Sequence, residues 1–292
     1  MLAVHRFLLV RTPGLYFHLR NVGRKVVGTR RHQRTLFSEL IDPEDLVFDV
    51  GANIGEFTGA FRDLGARVVA MEPQPRLGAH LRRRFRSDPQ VTVVTTAVSD
   101  HAGEASLHCT TADALATLEE ERATGISGPG AELEWGTTIT VPLQTLDSLV
   151  AAHGEPALVK IDVEGHELGV VNGLTAARPT LFFEVNRPGV HDVLDTLHER
   201  GYTAFFVRLD ERPDWVARRA MSAAEMHDYI AASSDNCDCL AISPERGTRQ
   251  PSGSPSSPEA PAHFRGLSLT HVGGRWPTSR INGRRPRTAA RP

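Results

Sequence analysis

Cysteine is scarce in this chain: Cys109, Cys237 and Cys239 are the only three in 292 residues. Three thiols cannot build a disulfide framework, and Cys237 and Cys239, one residue apart, cannot bridge each other without strain. Long apolar runs are missing too, since none approaches the roughly 20 residues needed to cross a bilayer. Phe7–Val10 is apolar but short, and no small-residue cleavage pattern follows it, so it does not read as a signal peptide. These absences predict a soluble, cytoplasmic protein in a reducing compartment. Charge of one sign is also lacking: the formal net charge of −2 is too small for a protein that works by coating nucleic acid. Lysine is nearly absent, with Lys25 and Lys160 against 31 arginines, a bias that GC-rich coding explains and that singles out Lys160.

What is present suffices for a packed core: 40% of residues are hydrophobic and 23% charged, which excludes wholesale disorder. Both ends are basic. The first 40 residues hold eight basic side chains against Glu39, which suits a short amphipathic lead-in helix. From Glu245 to Pro292, nine arginines face two glutamates, so the tail carries +7 and the rest −9. Pro251–Pro258 is almost wholly Pro, Ser and Gly, and such a segment buries too little apolar surface to offset its ordering entropy. Three segments are expected: a basic extension over 1–34, a folded domain over 35–243, and a disordered basic tail over 244–292.

Within the domain, apolar runs alternate with helical patterns. Strands are expected at 46–50, 67–71, 91–96, 157–161, 180–185, 202–207 and 237–242. Helices are expected at 56–64, 75–85, 146–152, from about 162 through Leu174, and at 190–200. Strands at 104–109 and 137–143, around an excursion over 119–136, form a small β insertion between the third and fourth strands of the main series. This spacing implies βαβ crossovers and an α/β, doubly wound, mostly parallel seven-stranded sheet.

The strongest local motif is Asp49-Val-Gly51-Ala-Asn53-Ile-Gly55, at a strand-to-helix junction. Gly51 lets the backbone turn sharply near a ligand, and Gly55 permits close helix–strand packing. Asn53 replaces a middle glycine and is among the few residues that tolerate a left-handed backbone. Glu72 ends the second strand 21 residues after Gly51, where an acid accepts hydrogen bonds from adenosine ribose hydroxyls. A dinucleotide site places a pyrophosphate on this turn, but Asp49 at the strand's end suits a cationic ligand better. S-adenosyl-L-methionine carries an ammonium and a sulfonium, so the electrostatics favour the methyl donor over a nicotinamide cofactor.

Four blocks in this order resemble the FkbM-type methyltransferases: Phe48–Gly55, Met71-Glu-Pro-Gln-Pro75, Ala97-Val-Ser-Asp100 with Gly103, and Lys160-Ile-Asp-Val-Glu-Gly-His-Glu167. Thr145-Leu-Asp147 fits the same pattern, and the resemblance runs from about Thr35 to Ser243. It implies a class I (Rossmann-like) fold and S-adenosylmethionine-dependent O-methylation of a sugar, polyketide or other small metabolite. On this reading the Gly51–Gly55 loop and Asp49 hold the methionine moiety and Glu72 the ribose. Ala97 and Val98, at the end of the third strand, bracket the adenine, and Ser99 or Asp100 reaches its amino group.

Because an alcohol is too weakly acidic to attack unaided, a base must take its proton. Asp162, Glu164, His166 and Glu184 are the available groups, with Asp162 or His166 favoured. Asp162 also reads as an N-cap, Glu164 and Glu167 as first-turn charges of the following helix, and Lys160 as the partner of an interior carboxylate. Asp162, Glu184 and Asn186 form an oxygen-rich set, but no metal is expected. The partner is a small hydroxyl-bearing molecule. A nicotinamide-dependent oxidoreductase is the runner-up, and a nucleic-acid methyltransferase, suggested by the basic ends, stands third.

Overall fold

The computed structural model describes residues 29–110, 116–120, 135–185, 189–209, 220–233 and 237–245. The basic N-terminal extension up to residue 28, Asn186, most of the 119–136 excursion and the tail from residue 246 lie outside them. In chain order come α1 (Thr29–Phe37), β1 (Leu46–Val50), α2 (Glu56–Asp63), β2 (Arg67–Met71), α3 (Pro75–Arg84) and β3 (Val91–Val94). Next are β4 (Ala97–Val98), β5 (Gly103–Thr110), β6 (Ala116–Thr117) and β7 (Trp135–Gln144). The alternation resumes with α4 (Leu146–His153), β8 (Leu158–Ile161), α5 (Glu167–Asn172), β9 (Thr180–Glu184) and α6 (Val190–Glu199). It closes with β10 (Phe205–Leu209), α7 (Ala223–Ala232) and β11 (Cys237–Ala241).

Seven strands form one sheet in the order β10-β11-β9-β8-β1-β2-β3. All pairs are parallel except those of β11, which runs antiparallel to both β9 and β10. Buried runs such as Leu46–Val50, apolar but for Asp49, are needed because helices cover both faces of the sheet. On one face Phe48, Val159, Ile161 and Phe183 pack against Leu146, Leu149, Val170 and Leu194 from α4, α5 and α6. On the other, Val47, Leu158 and Phe182 meet Leu36, Phe37 and Phe61 from α1 and α2. Phe37 stands edge-on to Phe61 and Phe182, with centroids 5.0 and 5.1 Å apart, so the lead-in helix is part of the packed core. From β1 the chain winds first toward β2 and β3, then returns on the other side to β8. The carboxyl ends of β1 and β8 therefore flank the point where the winding reverses, the place where open α/β sheets bind ligands.

The segment between β3 and β8 builds a second sheet, ordered β4-β7-β5-β6, with its own small core of Ala97, Leu107, Cys109, Val141 and Leu143. Here one expectation is corrected: Ala97 and Val98 do not extend the third strand of the large sheet. β3 ends at Val94, and buried Thr96 donates through Oγ1 to the carbonyls of Ala97 and Pro142, both at 3.0 Å. That ties the chain to β7, where Ala97 and Val98 pair in parallel with Leu143 and Gln144. A helix is also added to the expected set. α7 opens with a capping box in which Ser222 accepts from the Glu225 N–H and Glu225 from the Ser222 N–H. Among the described residues no helix is long and apolar enough to cross a membrane.

Candidate active site

The turn after β1 is built from three left-handed residues, Gly51 (φ 73°), Asn53 (φ 50°) and Gly55 (φ 80°). The N–H groups of Gly51 and Ala52 both donate to the Met71 carbonyl, at 3.0 and 2.9 Å, which ties the turn to the end of β2. Glycine at 51 is required by the protein's own backbone: a Cβ there would sit 1.9 Å from the Asp162 carbonyl oxygen at the exit of β8. At 55 a Cβ would fall 2.6 Å from Leu81 and 2.8 Å from Phe85. Gly55 thus lets α2 start against α3, rather than against a strand as expected.

Glu72 is buried at the end of β2, 3% exposed. Its carboxylate accepts from the Asn53 N–H at 2.8 Å and the Gln74 N–H at 2.9 Å, one on each oxygen. Each oxygen keeps a lone pair, which is what a vicinal diol needs from a bidentate acceptor. Burial pushes the Glu72 carboxyl up to about 7, against the lowering effect of the two backbone bonds and of Lys160. The sign of the consequence follows. A carboxyl whose pKa is raised by folding holds its proton more tightly when folded, so the ligand-free protein loses stability as pH rises from about 4.5 to about 7. A ligand that needs the ionised carboxylate binds with the opposite trend. Calorimetry across this window is expected to show affinity for S-adenosylhomocysteine rising through about pH 7, with proton release on binding below it. A flat profile would contradict a role for the Glu72 carboxylate.

Asp49 lies beneath the turn. It is fully buried, its Oδ2 accepts from the Thr58 hydroxyl at 2.6 Å, and its Oδ1 lies 3.4 Å from Lys160 Nζ. Its Oδ1 makes no hydrogen bond among the described residues, and from this position the carboxylate braces the turn from behind. Lys160 is the centre of that support. Its ammonium donates to the carbonyls of Gly51 at 2.9 Å and Val50 at 3.3 Å, lies 3.4 Å from Asp162 Oδ2, and stands 5.1 Å from the Phe57 ring centroid. Burial alone would lower its pKa, but Asp162 and Asp49 outweigh that and hold it above the ordinary lysine value. Lys160 therefore stays charged and joins the β1 turn to the exit of β8, the structural role expected of it.

Beyond β8 the helix starts later than expected. α5 begins at Glu167 with His166 as its N-cap residue, so Asp162 is not an N-cap and Glu164 lies outside the first turn. The intervening residues form a tight loop with Glu164 (φ 56°) and Gly165 (φ 108°) left-handed. The loop brings carboxylate oxygens of Asp162, Glu164 and Glu184 within 4.8 Å of one another at the ends of β8 and β9. Three half-buried acids this close are a set that can hold a divalent cation. His166 is turned toward the second sheet: its Nδ1 lies 2.6 Å from Glu119 Oε1 and its Nε2 2.9 Å from Ser99 Oγ. Ser99 in turn reaches Asp100 Oδ1 at 3.1 Å, and His101 Nδ1 lies 2.6 Å from that same oxygen. These bonds, from His101 first and then Ser99, hold the Asp100 carboxyl below its usual range. Val98 packs into the large core, so it offers a ligand only its backbone.

Thr58, Thr117 and Glu119 have no counterpart in the expected site. Thr58 carries the helical spacing of α2 and nothing more in sequence. Thr117 and Glu119 arrive from the insertion, 47 residues from their partners in chain, with no motif to mark them.

Six strands running the same way with a reversed strand slotted between the last two, and a glycine turn plus acidic strand ends at the winding reversal, define a class I methyltransferase fold. The chain matches the methyltransferase FkbM domain over residues 49–204, more than half its length, and belongs to that family. It is a methyltransferase, and the oxidoreductase alternative falls. It is 29% identical over 192 residues to the hexuronic acid methyltransferase AglP of Haloferax volcanii, covering 63% of this chain and 74% of that protein. It is 27% identical over 160 residues to the 2-O-methyltransferase NoeI of Sinorhizobium fredii, covering 51% of this chain and 65% of that one. A precorrin-6y C5,15-methyltransferase of Geobacter metallireducens aligns at 11% identity and a TM-score of 0.38 over 72% of this chain and 87% of its own. The strand order, not that distant likeness, carries the fold.

Proposed function

We propose that this enzyme transfers a methyl group from S-adenosylmethionine to a sugar hydroxyl. One observation carries the reading: the β1 turn stands between a buried diol-accepting carboxylate, Glu72 on the β2 side, and the carboxylates of Asp162, Glu164 and Glu184 on the β8 and β9 side. When bound, S-adenosylmethionine supplies an electrophilic methyl on a sulfonium, and acidic strand ends suit that cation. Glu72 takes the ribose hydroxyls. The Gly51–Gly55 turn, braced by Asp49 and Lys160, lines the methionine end, and the backbone at Ala97–Ser99 borders the adenine. The names of the two relatives, one a hexuronic acid and the other a 2-O position, together support a sugar hydroxyl as the acceptor.

Asp162 is the residue best placed to take the acceptor's proton, because its side chain is 40% exposed and anchored from below by Lys160. Alignment of acceptor oxygen, methyl and sulfur supplies most of the rate, and proton removal completes the transfer. Asp162→Asn is near-isosteric and removes the basic oxygen. With tritium-labelled methyl donor and a panel of uronic acids and neutral sugars, this variant is expected to lose at least a hundredfold in turnover, within the range a positioned base contributes. Its affinity for S-adenosylhomocysteine in calorimetry is expected to stay within about threefold. Wild-type turnover would remove Asp162 from the chemistry.

A further inference from the structure

A carboxylate, an imidazole and a hydroxyl stand in line beside the proposed active site: Glu119 Oε1, His166 and Ser99 Oγ, at 2.6 Å from Nδ1 and 2.9 Å from Nε2. This is the connectivity of a catalytic triad, but Ser99 is 2% exposed and cannot meet a substrate as a nucleophile. Two glycines make the array possible. A Cβ at Gly169 would lie 2.3 Å from His166 Nε2, and one at Gly173 would lie 2.2 Å from the Ser99 carbonyl oxygen. The ring is thus seated on the first turn of α5 with β4 drawn close against it.

The same segment of the insertion makes a second contact. Thr117, buried in β6, donates through Oγ1 to the Glu164 carbonyl at 2.9 Å and accepts from the Glu119 N–H at 3.0 Å. Thr117 and Glu119 therefore grip the loop on both sides of Gly165. Within that grip Glu164 is held in the left-handed region, a conformation that costs a non-glycine residue energy and persists only where its surroundings enforce it. The loop's own bond, from Gly165 N–H to Glu167 Oε1 at 3.0 Å, closes the other side.

We propose that Glu119 is a positioning residue that fixes the tautomer of His166, placing the ring proton on Nδ1 and leaving a bare Nε2 to share the single Ser99 hydroxyl hydrogen with Asp100 Oδ1. A carboxylate can only accept, so the nitrogen facing Glu119 must carry the hydrogen. Both ring nitrogens are then engaged, which removes His166 from competition for the acceptor's proton and leaves that task to Asp162. The insertion becomes part of the catalytic apparatus through this clasp. This consequence rests on the methyl-transfer reading. The tautomer does not.

The test needs no acceptor. Protein labelled with nitrogen-15 at its 13 histidines is examined by long-range proton–nitrogen correlation in alkaline buffer, where imidazoles are neutral, with His166 assigned by its loss in His166→Gln. The wild type is expected to show a protonated Nδ1 and a bare Nε2 at His166, the reverse of what an unconstrained imidazole prefers. Ser99→Ala retains that pattern, and Glu119→Ala reverts to a protonated Nε2. A bare Nδ1 in the wild type, or a Glu119→Ala spectrum unchanged from it, would overturn the proposal. Failure of S-adenosylhomocysteine to bind in calorimetry would instead count against the methyl-transfer reading while the tautomer assignment stood.

Discussion

Glu72→Ala is expected to weaken S-adenosylhomocysteine binding at least tenfold, about 1.4 kcal/mol, and by far more if both ribose hydroxyls bond to the carboxylate. The reason is the scarcity of substitutes. Glu72 is the buried acid at the end of β2, and its orientation is fixed by the N–H groups of Asn53 and Gln74. Removing it strips two acceptors from the ligand and leaves those two N–H groups without their partner, so the turn itself loosens. The same substitution also removes a carboxyl that burial holds near 7, which relieves the ligand-free protein above that pH. Weaker binding in a protein that is no less stable would be a combination that general damage to the fold cannot produce. Isothermal calorimetry and thermal unfolding on one preparation read both. Unchanged affinity would end the ribose assignment.

The second large effect concerns Gly51→Ala. An alanine at φ 73° costs about 1–2 kcal/mol from its backbone conformation alone. Its Cβ would also lie 1.9 Å from the Asp162 carbonyl oxygen, and a backbone atom between two paired strands cannot step aside. Either β1 and β8 part at their carboxyl ends or the turn is rebuilt. Together these are expected to cost about 3 kcal/mol or more, a large share of the 5–15 kcal/mol that typically holds a domain together. Gly55→Ala makes the sharper comparison, because its Cβ meets the ends of the Leu81 and Phe85 side chains, which can move. Chemical denaturation is expected to rank Gly51→Ala well below Gly55→Ala, and equal losses would contradict the role given to the β1–β8 approach.

The large sheet was legible because its strands are buried on both faces and so read as mainly apolar runs, of which Leu46–Val50, broken only by Asp49, and Leu158–Ile161, broken only by Lys160, are the plainest. Glu72 and the Gly51 turn were legible because their spacing is set by one βαβ unit, a local property of sequence. The pairing of Asp49 with Lys160 was not legible for a physical reason: an acid at a strand's end looks the same whether or not a buried ammonium lies beside it, and Lys160 lies 110 residues from the Val50 carbonyl it also holds. The break between β3 and β4 was hidden in Val91–Val98, since β-branched residues suit either sheet and only the Thr96 bond to Pro142 decides the matter. The late start of α5 had a visible sign in Gly165 that the apolar spacing of Val170 and Val171 masked. α7 carried a readable Ser-x-x-Glu start. Thr117 and Glu119 carried none, because what gives them meaning is a contact across the fold.

The most direct measurement is a crystal structure of the protein with S-adenosylhomocysteine. The predicted result places both ribose hydroxyls on the Glu72 carboxylate and the homocysteine end along the Gly51–Gly55 turn, with sulfur directed toward Asp162. A ligand bound elsewhere, or a nucleotide pyrophosphate preferred on that turn, would contradict it.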